Sequence, residues 1–314
     1  MAELKTVGRF APTPSGRMHL GNVFAALIAW LSVRSKGGEM VLRMEDLDTQ
    51  RTSEEYAQIL REDLRWLGLD YDRETPPQSA RSAVYDRYFD KLAEMGLLYP
   101  CYCTRSQLHS VNAPHLSDGT YVYPGTCRNL TEAQRATFHR APAWRVRVPD
   151  RVWTVEDRVQ GHYECNLATD CGDMVVRRAD GVYVYQLAVT VDDALMGVTE
   201  VVRGRDLLPS TGCQIQLFHA LGHTPPHYGH IPLLVNRDGR RLSKRERDLD
   251  IGVLRTRFTP EELLGRMANL LGFLDRPEKI TLTELIPVYK AWYETADTPK
   301  FPKNCVVPDN FAIK

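Results

Sequence analysis

A histidine two residues ahead of a glycine, His19-Leu-Gly21, follows the stretch Arg9-Phe-Ala-Pro-Thr-Pro-Ser-Gly16, and far downstream a basic run reads Arg241-Leu-Ser-Lys-Arg245. Histidine, lysine, arginine and serine are the side chains that hold phosphates and stabilise charge on a transferring phosphoryl group. Gly21, placed where a helix begins, would let the backbone come close to a nucleotide, and helix-terminal amides favour anions. Taken singly, a His-x-Gly is a loop-to-helix turn and a basic loop is a solvated surface; only the pair carries weight. A second set is Cys101-Tyr-Cys103 with Cys127, three thiolates that need one more ligand for a tetrahedral structural Zn2+. His109, His115, Tyr121 and Tyr123 are the candidates, and ligand chemistry alone favours a histidine. Without metal these would be plain reduced thiols, as Cys165, Cys171, Cys213 and Cys305 are expected to be.

Those residues must be held by regular elements. Val7 to Ala11 is a short β-prone run, Pro12 to Asn22 a punctuated loop, and Phe24, Leu27, Ile28 and Leu31 recur at the spacing of a buried helix face. Gly37-Gly38 stops that helix, and Met40 to Met44 reads as the next strand. Thr52 with Glu55 three residues on suggests a capping box for a second helix carrying Tyr56, Ile59, Leu60, Leu64 and Leu67. Strand, helix, strand, helix in this order argues for a parallel α/β sheet with ligands at the carboxyl ends of its strands. From about Cys101 to Asp173 the pattern breaks into turn residues and short β-prone pieces such as Ala143-Trp-Arg-Val-Arg-Val148, which reads as an inserted module. The α/β pattern returns through Val182 to Val191 and Val198 to Arg203, a helix over Gln214 to Leu221 and a strand over His230 to Val235. The tail from Thr259 is helical in period, and Asn269 to Phe273 and Leu285 to Trp292 read as helices that either dock on RNA or close the core.

With 314 residues, 43% hydrophobic and 25% charged, the chain is composed like an ordinary globular protein and unlike a disordered one. Forty basic residues balance forty acidic ones, so a nucleic-acid contact has to come from a local patch. No apolar stretch approaches the roughly 20 residues needed to span a bilayer, and Met-Ala-Glu-Leu-Lys is no secretory signal, so a cytoplasmic protein without a membrane partner is expected.

The two basic segments together resemble the paired ATP signatures of class I aminoacyl-tRNA synthetases, in particular the glutamyl-queuosine tRNA(Asp) synthetase family. That family is similar to a glutamyl-tRNA synthetase catalytic core without its anticodon-binding part. The resemblance implies a Rossmann-like parallel sheet in two halves, 1–100 and 174–240, an inserted acceptor-end-like module with zinc at 101–173, and an ATP loop with a helical tail at 241–314. It implies activation of L-glutamate by ATP and Mg2+ and transfer of the glutamyl group to queuosine in the anticodon of tRNA(Asp), by a monomer.

Position by position, the resemblance places His19, Gly21, Asn22, Arg241, Leu242, Ser243 and Lys244 at ATP, with His19 and Lys244 catalytic. Asn22 stands where a second histidine is common, and Arg241 where lysine is common. A pocket for glutamate must meet two carboxylates and an ammonium, hence arginines and one acidic residue. The resemblance supplies Arg9, Phe10, Ala11, Pro12, Thr13, Glu45, Tyr185 and Arg203, with Glu45 on the α-amino group and Arg9 and Arg203 on the carboxylates in either order. A purely structural alternative for Arg203 is an ion pair with Glu45, Asp192 or Asp193, and for Tyr185 a place in the core. The family's tyrosine four residues before the last cysteine makes Tyr123 the fourth zinc ligand with Cys101, Cys103 and Cys127, and His115 the alternative. Two other functions remain open: a compact glutamyl-tRNA synthetase charging the tRNA 3′ end, and a non-catalytic RNA-binding paralogue.

Overall fold

The computed structural model describes residues 5–104, 106–107, 122–240, 249–295, 301–302, 304–308 and 311. The chain opens β1 (Val7–Phe10), α1 (Leu20–Arg34), β2 (Glu39–Leu42), α2 (Glu54–Leu67), β3 (Arg73–Glu74), α3 (Ser82–Glu94) and β4 (Leu98–Cys101). Next come two single-turn helices and four strands: α4 (Glu132–Arg135), β5 (Ala143–Val146), β6 (Val152–Asp157), β7 (Gly161–Asn166), α5 (Leu167–Asp170) and β8 (Met174–Arg177). It continues with α6 (Tyr185–Leu195), β9 (Glu200–Gly204), α7 (Thr211–Leu221), β10 (His227–Ile231) and β11 (Leu233–Val235), then α8 (Ile251–Arg257), α9 (Pro260–Leu270), α10 (Leu282–Thr295) and β12 (Asn304–Val306).

β1, β2 and β3 pair in parallel with β2 in the middle, and β9 pairs in parallel with β10. Thr199 joins the two sets: its amide donates to Val7 O at 2.9 Å, and its hydroxyl accepts from the Val7 amide at 2.9 Å. β9 therefore runs along the edge of β1 that β2 leaves open. Chain connections diverge on the two sides of β1, which opens a crevice at the carboxyl ends of β1 and β9. The 101–173 region is antiparallel instead, with sheet β4-β5-β8 and hairpin β6-β7.

Side chains alternate across the sheet. Met40 and Leu42 face a core built with α1, α2 and the tail helices, whereas Val41 faces a second core with Tyr85, Leu187, Val201 and Leu217. Leu254, Leu263, Leu264, Met267 and Leu285 are all buried in the first core, so the tail closes the molecule. Burial of each such side chain stabilises by about 1.5–3 kcal/mol.

Two local expectations are corrected. The cap of α2 is Ser53, whose hydroxyl accepts from the Tyr56 amide at 3.2 Å, because the Thr52 hydroxyl is spent on the Asp48 carbonyl at 3.0 Å. No separate helix covers 269–273: α9 ends at Leu270 and Gly272, at φ +73°, turns the chain.

Candidate active site in the crevice

A cavity of about 480 Å³ opens between β1 and β9, within the usual range for small-ligand sites. Arg9, Phe10, Ala11, Pro12, Thr13, His19, Gly21, Asn22, Glu45, Tyr185 and Arg203 all line it. Residues far apart in sequence meet there because each sits at the carboxyl end of a parallel strand or the start of the next helix.

The first segment is held against β2 beyond the strand itself. Arg43 donates its amide to Phe10 O and Glu45 its amide to Pro12 O, both at 2.9 Å, so the loop runs beside the residue expected to hold an ammonium group. His19 is the N-cap of α1. Its Nδ1 accepts from the Gly21 amide at 3.0 Å, and Asn22 Oδ1 accepts from the His19 amide at 3.2 Å. The neutral ring therefore carries its proton on Nε2. A Cβ on Gly21 would sit 2.9 Å from His19 Cε1, so the glycine is required for the ring to fold over it. Asn22 thus closes the reciprocal cap at the mouth of the cavity.

Glu45 is anchored by Arg43, whose Nη2 donates to Glu45 Oε1 at 3.0 Å. Arg43 is fully buried, and its Nη1 donates to Asp193 Oδ1 at 2.6 Å. Burial works against the Arg43 charge, but Asp193, Glu45 and Asp192 overcome it and hold the guanidinium protonated. Burial likewise pushes the Glu45 carboxyl up, with Arg43 and Arg9 opposing. Asp192 is taken by Arg81 at 2.8 Å and by Gln78 and Tyr85 at 2.9 Å each. Arg9 is different: its Nη1 reaches Val202 O only at 3.4 Å, its Nε lies 3.7 Å from Asp193, and that Nε has no hydrogen-bond partner among the described residues. Arg9 lines the cavity with its charge only loosely met by Asp193, so a ligand carboxylate would supply hydrogen bonds that its buried guanidinium lacks.

Arg203 is not ion-paired with Glu45, Asp192 or Asp193, whose partners are the arginines just named. Its Nε donates to His230 Nε2 at 3.0 Å, Nη1 to Gln214 Oε1 at 2.8 Å and to the Tyr185 hydroxyl at 3.3 Å, and Nη2 to Thr211 Oγ1 at 2.9 Å and to Leu207 O at 3.4 Å. Every partner is uncharged as long as His230 is neutral. Burial lowers the His230 pKa to about 4, aided by Arg203 and opposed by Asp157, so it is neutral at ordinary pH.

Arg43, His230, Gln214 and Thr211 were not expected from the sequence, and Asp193 was considered only as an ion-pair alternative for Arg203, whereas it pairs with Arg43. A signal existed for Asp193, one of an acidic pair directly after the run Leu187 to Val191 of α6. His230 gave none, since its partner Asp157 lies in another element.

The second basic segment, Arg241, Leu242, Ser243 and Lys244 included, lies outside the described residues. Both of its flanks are beside the cavity. Leu233 and Leu234 line it upstream; downstream Asp250 bridges His19, and the Ile251 amide donates to Met18 O at 3.0 Å.

The cysteine cluster forms a small core of its own with Tyr99. Cys103 Sγ lies 3.6 Å from Cys127 Sγ, and the Tyr123 hydroxyl lies 3.5 Å from Cys101 Sγ and 3.9 Å from Cys103 Sγ. Thiolates around a zinc ion with bonds of ~2.3 Å stand about 3.8 Å apart, so the donor set fits a tetrahedral ion. Burial and the Cys101 neighbour push the Tyr123 phenol upward, so an ion would have to displace that proton to bind it as phenolate. His109, His115 and Tyr121 lie outside the described residues.

The family model for class I tRNA synthetases (E and Q), catalytic domain, matches residues 5–298. The chain is 45% identical over 312 residues to the glutamyl-Q tRNA(Asp) synthetase of Nitratidesulfovibrio vulgaris, covering 95% of this chain and 90% of that one. It is 46% identical over 297 residues to the protein of the same name in Symbiobacterium thermophilum, covering 90% and 91%. Among solved structures it resembles a glutamate tRNA ligase from Elizabethkingia meningosepticum in complex with its amino acid, with a TM-score of 0.80 at 27% identity over 98% of this chain and 68% of that one.

Proposed function

The chain belongs to the class I tRNA synthetases of the E and Q type, and we propose that it activates glutamate with ATP and Mg2+ and moves the glutamyl group to queuosine in the anticodon of tRNA(Asp). It has the class I synthetase fold, a mixed α/β architecture with a parallel sheet, and it is a ligase by its relatives' names; class I synthetases use ATP and Mg2+. The observation that carries the glutamate reading is one cavity holding two buried guanidinium groups, Arg9 and Arg203, with the Glu45 carboxylate between elements β1 and α6. A dicarboxylate with an ammonium group complements that set.

In this reading one substrate carboxylate takes the Nη1 and Nη2 fork of Arg203 by replacing its two longest bonds, to the Tyr185 hydroxyl and Leu207 O. The other takes Arg9, and Glu45 receives the α-ammonium. The α-carboxylate oxygen attacks the α-phosphorus of ATP in line, the bond to pyrophosphate breaks, and Nε2–H of His19 donates to the phosphate oxygens. Lys244 of the second segment adds charge there; Mg2+ on the nucleotide supplies further neutralisation. A hydroxyl of the queuosine cyclopentene ring then attacks the acyl carbon and AMP leaves. The names of relatives matched over nine-tenths of their length support the choice of queuosine. The 101–173 module is read as an insert pinned by Zn2+ on Cys101, Cys103, Cys127 and Tyr123. Elemental analysis should find one zinc per chain, lost in Cys103→Ser.

Labelled glutamate, ATP and Mg2+ with queuosine-bearing tRNA(Asp), unmodified tRNA(Asp) and tRNA(Glu) in parallel test the reading. Label on the first alone is the expected result. Label on tRNA(Glu) would show 3′-end charging, and absence of adenylate would show a non-catalytic protein.

A further inference from the structure

We propose that Asp157 and His230 are positioning residues for Arg203, a dyad that supplies its counter-charge through an imidazole and so leaves its terminal nitrogens to the substrate. The inference rests on the reading of Arg203 as a carboxylate-binding group.

The geometry is a relay. Asp157, at the end of β6, has a fully buried carboxylate whose Oδ2 accepts from His230 Nδ1 at 2.5 Å. Its Oδ1 accepts the amides of Val159 at 3.0 Å, Gln160 at 2.8 Å and His230 at 3.0 Å, which fixes it against β10. With the His230 proton drawn to Nδ1, the Nε2 lone pair faces Arg203 and accepts from its Nε at 3.0 Å. The other tautomer would set two donors against each other at that distance. Tyr228 stacks on the His230 ring with centroids 5.9 Å apart, and the Thr211 hydroxyl lies 3.2 Å from Nε2, so the ring has no room to swing away.

The purpose follows from electrostatics. A buried guanidinium without any anion nearby is costly, yet a carboxylate directly on its fork would compete with the substrate. Asp157 sits one imidazole away from Arg203, close enough to balance it and unable to occupy Nη1 or Nη2. Because Asp157 belongs to the β6-β7 hairpin and Arg203 to β9, the hairpin sets the orientation of a pocket residue on the parallel sheet.

The test measures glutamate binding by calorimetry, and steady-state constants for glutamate and ATP, on the full chain with its accepting tRNA. Variants are Asp157→Asn, His230→Leu and His230→Gln. Asparagine can offer His230 Nδ1 an N–H and so favours the wrong tautomer. Leucine removes the acceptor, and glutamine restores a neutral acceptor for Arg203 Nε. We expect Asp157→Asn and His230→Leu to raise the glutamate KM about 10- to 100-fold, as loss of a buried hydrogen bond to a charged group does, with the ATP KM unchanged. His230→Gln should recover most of the loss. Should Asp157→Asn not fold, the leucine and glutamine pair decides alone. An unchanged glutamate KM in His230→Leu, or equal losses for ATP and glutamate, overturns the dyad. If the parent protein binds no glutamate, the pocket assignment fails and the dyad falls with it.

Discussion

Arg43, just past the end of β2, and Arg203, in β9, are both buried, but one is surrounded by carboxylates and the other by neutral acceptors. Asp193 and Glu45 occupy Arg43 directly at 2.6 and 3.0 Å, so its charge is used up within the protein. Arg203 meets His230, Gln214, Tyr185, Thr211 and a carbonyl, and its carboxylate stands behind an imidazole. The first arrangement neutralises its cation directly, whereas the second leaves a cation whose direct partners are all uncharged, which is what the proposed carboxylate-binding role requires. Burial and charge alone do not separate a structural arginine from a binding one; the identity of the partner does.

Removing the structural cation should have the largest effect. Arg43→Met leaves Asp192, Asp193 and Glu45 buried without their shared partner, and should destabilise the fold by about 3–5 kcal/mol, read by denaturant unfolding. If it instead left stability intact and only weakened glutamate binding, the contrast between the two arginines would be wrong.

Acid should act next, and on the Arg203 side. The folded-state pKa of His230 is about 4, below its unfolded value of about 6.5, so the unfolded chain takes up a proton that the folded chain refuses. Stability should therefore fall as pH drops from about 6.5 toward about 4, by on the order of 3 kcal/mol in total. Glu45, raised by burial, has the opposite sign above its ordinary value, so the difference between the parent and His230→Gln carries the test. Equal slopes for the two across that window would contradict a buried neutral imidazole.

Arg203→Lys keeps the charge but loses the fork. The glutamate KM should rise about 10- to 150-fold while the unfolding midpoint moves little, the reverse of Arg43→Met. Tyr185→Phe should show the smallest change, about 2- to 10-fold in glutamate KM, because its bond to Arg203 is already long at 3.3 Å. A loss as great as that of Arg203→Lys would mean that the tyrosine, rather than the guanidinium, holds the carboxylate.

Much of this was legible in the sequence because local signals and long motifs agree. The strand, loop and helix around His19, the apolar stripe of α1 and the helical tail all follow from spacing and turn residues. The site residues Arg9, His19, Glu45, Tyr185 and Arg203 were named from a resemblance and found to share a cavity. What was missed has a common cause. Thr52 and Ser53 are both competent caps, and only the competing bond of Thr52 to the Asp48 carbonyl selects Ser53. His230 and Asp157 are 73 positions apart, and no periodicity relates a hairpin end to the strand it docks on.

The sequence by itself determined most of the element types, the two basic segments and the set of cationic, acidic and sulfur side chains, because propensity, spacing and side-chain chemistry are local properties. Only the tertiary structure decided which charges cancel each other and which are left for a ligand. That choice depends on distances of a few ångströms between β1, β2, α6, β9 and the β6-β7 hairpin, and such distances arise only when the strands are laid side by side.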